Sequence, residues 1–372
     1  MTEPRCPFFG KCGGCTTQHV PYELQLENKK KLLISHIKFP EIKVFSGSEY
    51  GYRNRMDFIF HEGGLGFREK DKWWKIVDVD NCVISDEKVN GLLLELRDFF
   101  KDAEWFDVKK HTGTFRYAVV RTATEGATVS IILNEDSSRL SEAVARIKEY
   151  AGKSKAENVL GCHVPANTDQ SISANHFTVK GEDYLVQNYL GKSFSYSSQG
   201  FFQNNHAMAE KMQAYVHNLL RQYRTQDYHL LDLYAGVGTF GIVNASLFKG
   251  VTILEGVKEC IDSANKNIAD NDVRNAKAIL LDAMQLKKLD FPAELFVITD
   301  PPRSGMHEKT IEQLKKLKPQ VIVYVSCNVV QLGKDLPKFK SYRIKSAALF
   351  DLFPQTPHME AVVELVLDEE SP

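Results

Sequence analysis

From about residue 203 to Cys327 the chain alternates short apolar runs (HLLDLYA, VTILEG, AKAILLD, ELFVITD and VIVYVSC) with helical or loop segments. That alternation predicts a parallel sheet with right-handed crossovers, preceded by a helix over 205–223. Two later runs, YRIKSAALFDLF (342–353) and EAVVELVLD (360–368), are joined by a short Pro-containing loop. The loop is too short for a crossover helix, so these two should form an antiparallel hairpin. In an open α/β sheet, ligands bind at the carboxyl ends of the strands. Three such ends carry a glycine loop in DLYAGVGTF (232–240), an acid at Asp300 and a thiol at Cys327.

Residues 1–195 follow another pattern. A helix is expected over 22–37 and hairpins over 50–80, with a turn at His61 to Gly64. Further helices fall at 86–102 and 138–151, and strands near 115–122, 127–134, 158–165, 176–180 and 183–188. This predicts an α+β assembly with a mainly antiparallel sheet. The expected division is a cysteine region over 1–48, a central α+β domain over 49–195 and the α/β domain over 196–372.

The chain has 372 residues and a net charge of −1, which does not advertise a nucleic-acid binder. Basic residues cluster at Lys29 to Lys31, at Arg53 and Arg55, and at Lys70, Lys72 and Lys75. Interleaved acids favour reading them as a solvated surface. No apolar run is long enough to span a bilayer and no signal-peptide pattern is present, so no membrane association and a cytoplasmic location are expected. Seven cysteines, an odd number, argue against a disulfide framework.

Five parallel strands and a terminal hairpin resemble the S-adenosylmethionine-dependent methyltransferase version of the doubly wound fold. Gly236 and Gly238 let the chain turn sharply after the first strand and approach a ligand. With Gly241 they also satisfy the dinucleotide pattern, so the loop alone does not exclude NAD. Glu255 ends the second strand, where a carboxylate can accept from ribose hydroxyls. Asp282 ends the third and could lie beside an adenine. Asp300-Pro-Pro-Arg303 resembles the fourth-strand motif of base methyltransferases, with Arg303 where amine methylases place an aromatic residue. That departure favours methylation of carbon.

Carbon methylation at uracil C5 needs two groups. A thiolate adds to C6 and makes C5 nucleophilic; a base then removes the C5 proton so that the thiol can leave. Cys327 is the candidate nucleophile, because polar Ser326 and Asn328 flank it where the apolar run ends. Glu360, in Pro357-His358-Met359-Glu360, is the candidate base, with His358 as an alternative.

Together these residues resemble the RNA uracil-C5 methyltransferase family, which makes 5-methyluridine. The matching stretches are Cys6-x5-Cys12-Gly-Gly-Cys15, Ser-Gln-Gly-Phe-Phe-Gln (198–203), DLYAGVGTFG, DPPRSG, SCN and HME. The resemblance implies S-adenosyl-L-methionine bound by Gln203 with Tyr234, Glu255 and Asp300, a nucleophile at Cys327 and a proton-abstracting Glu360. It also implies RNA as partner. The first cluster cysteine is residue 6, which leaves no room for an N-terminal TRAM domain. That compactness resembles the short branch acting on 23S ribosomal RNA, with the transfer-RNA T-loop uridine as runner-up and a monomer as the expected state.

Cys6, Cys12, Cys15 and Cys82 read by themselves as a soft-metal site, zinc or iron–sulfur. The resemblance implies a 4Fe-4S cluster. Two other functions compete: a dinucleotide-dependent dehydrogenase, needing neither Cys327 nor Glu360, and a non-catalytic iron–sulfur RNA-binding protein.

Overall fold

The computed structural model describes residues 2–368. In chain order the elements are α1 (Tyr22–Ile37), β1 (Ile42–Phe45), β2 (Arg55–His61), β3 (Gly64–Glu69), β4 (Lys72–Asp78), α2 (Glu87–Phe99), β5 (Phe115–Thr122), β6 (Ala127–Asn134) and α3 (Leu140–Lys153). Next come β7 (Asn158–Val164), β8 (His176–Lys180), β9 (Tyr184–Tyr189), β10 (Lys192–Ser197), α4 (His206–Leu220), β11 (His229–Leu233), α5 (Thr239–Asn244), β12 (Gly250–Glu255) and α6 (Lys258–Asp270). The last are β13 (Ala276–Leu280), β14 (Leu295–Thr299), α7 (Glu308–Leu317), β15 (Val321–Ser326), α8 (Val329–Asp335), β16 (Tyr342–Phe350) and β17 (Glu360–Leu367). The chain divides into two compact units. The first comprises Met1–Tyr22, Ser48–Gln187 and Tyr196–His206; the second comprises Glu23–Gly47, Asn188–Ser195 and Ala207–Pro372.

The first unit is built on a seven-stranded sheet in the order β4-β3-β2-β5-β6-β7-β8, antiparallel except for β6 with β7. β5 and β6 are buried along their whole length. Because side chains alternate across a strand, one sheet face gets Ala118 and Val120 and the other Tyr117 and Val119. The larger cluster takes its helical side from Val89, Leu93 and Leu96 of α2 and Ile147 and Tyr150 of α3. Asp86 starts α2 by accepting from the Val89 amide at 2.7 Å, as an N-cap aspartate should.

The second unit holds an eight-stranded sheet in the order β1-β16-β17-β15-β14-β11-β12-β13. β11 to β15 are mutually parallel, β17 runs antiparallel to both β15 and β16, and β1 adds in parallel beside β16. The parallel strands are near-continuous apolar runs, as strands covered on both faces must be. Leu231, Leu233, Val297, Ile322 and Tyr324 meet Leu33 and Ile37 of α1, Ile311 and Leu314 of α7 and Leu332 of α8 in one core. This is the doubly wound methyltransferase architecture that the apolar runs predict.

One expectation is corrected. Lys29, placed by its basic neighbours on a solvated surface, is buried: its Nζ pairs with Asp351 Oδ1 at 2.6 Å and donates to the Phe353 carbonyl at 3.2 Å. The stripe of α1 that carries Leu33 and Ile37 also carries Lys29, and helical spacing buries all three together. No helix among the described residues is long and apolar enough to cross a membrane.

Candidate active site

The pairing of β15 with β17 brings the thiol and its candidate base together. Its last rung joins Ser326 to Ala361, so Cys327, the residue just after β15, comes near Glu360, the first residue of β17, close enough for that carboxylate to act on the thiol. Glu360 also pairs with Phe350 of β16, which fixes its backbone from the second side. Cys327 is half-buried and Glu360 is 5% exposed. Burial, with the charges of Glu360 and Asp300, pushes the Cys327 thiol up to about 11; the charge and hydrogen bond of Arg303 pull it down. Glu360 lies well above the usual carboxylate range because it is buried and close to Asp300, again opposed by Arg303. Burial raises Asp300 as well, to about 7. Cys327, Glu360, Asp300 and Arg303 therefore form one electrostatic group, with the exposed guanidinium as its cation.

Two polar side chains anchor the turn that follows Cys327. Asn328 caps α8 by accepting from the amides of Val330 and Gln331 at 3.2 and 3.3 Å, and its Nδ2 donates to the Arg303 carbonyl at 2.9 Å. Buried Asp335 receives the Tyr324 hydroxyl at 2.8 Å, the Met306 amide at 3.1 Å and Gln331 Nε2 at 3.0 Å. These bonds tie the Pro301–Met306 loop to the strand bearing the thiol. Sequence reasoning missed Asp335, since a lone aspartate 11 residues from Tyr324 has no motif.

The glycine loop is set from below by Asp232, which is 1% exposed and whose Oδ2 accepts from the Gly241 amide at 2.7 Å. Gly241 must be glycine: a Cβ there would stand 2.7 Å from Ile253 Cγ1 and 3.0 Å from Asp232 Oδ2. Tyr234 and Gly236 both have positive φ, at 60° and 55°, and a Cβ on Gly236 would meet open space. Glu255 binds the loop directly, Oε2 accepting from the Gly236 amide at 3.0 Å and Oε1 from Gly256 at 2.7 Å. Tyr234 has its hydroxyl against His307 and Thr310 at the start of α7 and is raised by burial. Asp282 is exposed after β13 and caps the next turn, accepting from the Met284 amide at 2.7 Å. The open space over Gly236, edged by strand-end carboxylates, fits a small ligand carrying hydroxyl and amino donors.

Gln203 lies in the first unit. Its carbonyl accepts from Asn54 Nδ2 at 3.1 Å. Buried Arg121 donates to the Gly200 carbonyl at 2.8 Å, and Phe202 stacks on Tyr196 with centroids 4.0 Å apart. His358 is exposed and edges Phe353 at 6.4 Å.

The expectation of a metal at the four cysteines finds no support in the grouping of side chains. Among the described residues, no three or more His, Cys, Asp or Glu side chains are grouped so as to hold a metal ion. Cys6, Cys12 and Cys15 are raised, mainly by burial and further by Cys82, with Cys15 at about 12. Cys82 adds to the upward shift of each of the other three, so the four share one neighbourhood.

The chain matches the family model "tRNA (Uracil-5-)-methyltransferase" over residues 21–367. It is 34% identical to an uncharacterized RNA methyltransferase of Caldanaerobacter subterraneus, with 97% of this chain and 84% of the relative covered. Identity is 33% to a tRNA (uracil(54)-C(5))-methyltransferase of Pyrococcus abyssi, covering 98% and 86%. The crystal structure of the Pyrococcus abyssi tRNA (uracil-54, C5)-methyltransferase with S-adenosyl-L-homocysteine superposes with a TM-score of 0.80 at 30% identity, over 95% of this chain and 86% of that one. On this agreement of sequence, fold and strand-end chemistry, the chain belongs to the tRNA (uracil-5-)-methyltransferase family.

Proposed function

We propose that this chain transfers a methyl group from S-adenosyl-L-methionine to C5 of a loop uridine in transfer RNA, with Cys327 as nucleophile and Glu360 as base. The observation that carries the reading is the β15–β17 register, which delivers thiol and carboxyl to one level beside Asp300 and Arg303. When bound, S-adenosylmethionine supplies an electrophilic methyl group. Cys327, its proton given up to solvent, adds Sγ to C6 as the C5–C6 double bond opens, and the C5 carbon so activated would take the methyl group, whose bond to the sulfonium sulfur would break and leave S-adenosylhomocysteine. Glu360 as carboxylate takes the C5 proton; its electron pair reforms the C5–C6 double bond and expels the Cys327 thiolate. A carboxyl raised by burial is a stronger base once ionised, which suits a carbon proton.

The cofactor residues in this reading are Gly236, Tyr234, Glu255, Asp282 and Asp300, with Gln203 from the motif at 198–203. The segment 49–195 is assigned to holding RNA. Transfer RNA is preferred to ribosomal RNA because relatives matched along nearly the whole chain carry the name tRNA (uracil(54)-C(5))-methyltransferase. The cluster implied for Cys6, Cys12, Cys15 and Cys82 is supported by the influence of Cys82 on the other three thiols, while no metal-holding group is formed among the described residues. Iron content after anaerobic purification decides it, and no reaction step uses it.

The test incubates the protein with transfer-RNA transcripts, 23S fragments and methyl-labelled S-adenosylmethionine. Label in 5-methyluridine of the transfer RNA, absent with Cys327→Ala, is expected. Label confined to the 23S fragments overturns the choice of RNA, and label outside uridine C5 overturns the chemistry.

A further inference from the structure

The seven-stranded sheet of the first unit ends in a feature that folding does not explain. β4 is its edge strand. Lys72 pairs with Glu69 and Ile76 with Arg68, so residues 73–75 bulge out of the ladder. Bulges at sheet edges re-aim side chains. This one turns Trp73 and Trp74 to solvent, 54% and 43% exposed and packed edge to face at 6.0 Å.

Behind Trp74 lies a cavity of about 280 Å³ whose walls include Trp74, Trp105, Phe106 and Tyr117 with Lys109 and Arg116. That volume is near the lower end of small-molecule sites, roughly 300 Å³, room for one nucleoside. Lys109 holds its ammonium 4.8 Å from the Trp74 ring centre and has no carboxylate partner among the described residues. Arg116 is 2% exposed, lies 4.0 Å over Phe106 and donates to the carbonyls of Pro165 and Thr168. Its Nε, buried, has no partner. A buried guanidinium N–H left unsatisfied is costly.

Two of the three acids that line the cavity are already committed. Both oxygens of Asp169 receive Arg68 at 2.7 Å, and Asp107 accepts from the amides of Lys109 and Lys110 at 2.9 and 3.2 Å. Glu62 also lines the cavity, so its charge is mixed; the cation held at an aromatic face is Lys109, and the walls there are flat aromatic rings.

We propose that this cavity is a second nucleotide site, which takes an unpaired base of the RNA substrate away from the methylated uridine, stacked on Trp74 with its phosphate at Lys109. The inference rests on the RNA being folded with single-stranded loops, as the proposed function has it. Base–aromatic stacking contributes about 1–3 kcal/mol per base and tolerates any base, while a lysine over the ring meets the backbone. The site would select RNAs that present a splayed nucleotide, over and above the target loop.

The chain contains three tryptophans, Trp73, Trp74 and Trp105, all at this patch, so its tryptophan emission reports on this site alone. The full-length protein is titrated with unstructured pentauridylate, pentacytidylate and pentaadenylate. Saturable quenching is expected, its midpoint moving about tenfold to higher concentration in Trp74→Ala, and less in Trp74→Phe, which keeps a stacking face. Lys109→Ala, an exposed change that leaves the fold alone, should weaken binding too and make the remainder less sensitive to salt. With folded RNA these variants should raise KM while the single-turnover rate at saturating RNA stays that of the parent. No quenching, or a midpoint that neither alanine variant moves, overturns the second site and points to a protein partner for the tryptophan patch. The covalent adduct with 5-fluorouridine RNA, formed at saturation, is the independent check on the methylation chemistry. Its absence from the parent protein would refute that chemistry and leave the oligonucleotide result standing.

Discussion

Cys327 and Glu360 sit opposite one another one step beyond the Ser326–Ala361 rung, so strand pairing sets the spacing of nucleophile and base. Glu360 is carried by β17 and Cys327 follows β15 directly, and groups held by or next to paired strands are placed more closely than groups out on loops can be. RNA carrying 5-fluorouridine at the target should form a stable adduct with this protein, because fluorine cannot leave C5 as a proton. Cys327→Ala should abolish the adduct. Glu360→Gln should still attack and methylate ordinary RNA, then stall before elimination, and accumulate covalent complex on denaturing gels. Wild-type turnover by Glu360→Gln would remove Glu360 from the base role.

Arg303 is expected to set the pH dependence of attack. The Cys327 thiol stands near 11, so the reactive thiolate fraction rises about tenfold per pH unit through neutrality. Adduct formation in single turnover should climb with it. Arg303 lowers the thiol by its charge and by a hydrogen bond, so Arg303→Ala should move the profile to higher pH, and Arg303→Lys should recover part of the shift. An unchanged profile in Arg303→Ala would show that the guanidinium does not act on the thiol.

Lys29 and Asp351 form a buried ion pair under the segment 351–358, which leads into Glu360. Removing one partner of such a pair leaves an uncompensated charge and costs about 3–5 kcal/mol. Lys29→Met should therefore lower the urea midpoint strongly, whereas Lys29→Met with Asp351→Leu should recover most of the loss. A double variant as unstable as the single one would assign the effect to packing of α1.

How much of this was readable in advance follows from the range of the interactions. The repeating apolar runs predict β11 to β15 and the closing β16–β17 hairpin, because each strand carries its own pattern. β1 has four residues and pairs with a strand some 300 positions later, at Ile42 with Ala347, so nothing local announces it. The same holds for Lys29, whose charge suggests solvent and whose partner Asp351 lies 322 positions away. Cys327, Glu360 and the glycine loop were visible because their chemistry requires those residue types at strand ends. Asp335 and Asn328, which hold those ends in place, have partners scattered over Arg303 to Lys338 and leave no spacing to recognise. The cysteines show the opposite case: the spacing suggests a metal, but among the described residues no group of side chains is placed to hold one.

Asp232 should make the protein less stable as pH rises through neutrality. It is buried beneath the glycine loop; Oδ2 accepts from Gly241, Oδ1 has no partner, and the charges of Asp300 and Glu255 oppose its ionisation. Burial, the largest cause, raises it from the ordinary 3.8 to about 7. Between those values the folded protein keeps a proton that the unfolded chain has released. The favourable contribution is thus complete below about pH 4 and is lost as pH climbs through about 7, with a ceiling of about 4 kcal/mol at 1.36 kcal/mol per unit. Asp232→Asn never ionises, and its amide oxygen can still accept from Gly241. Relative to the parent, the variant should gain stability from about pH 5 to about pH 8 in denaturation experiments at fixed salt, and should keep its affinity for S-adenosylhomocysteine. A variant destabilised equally at both pH values would mean that Asp232 is ionised throughout and that the Gly241 bond needs a full carboxylate.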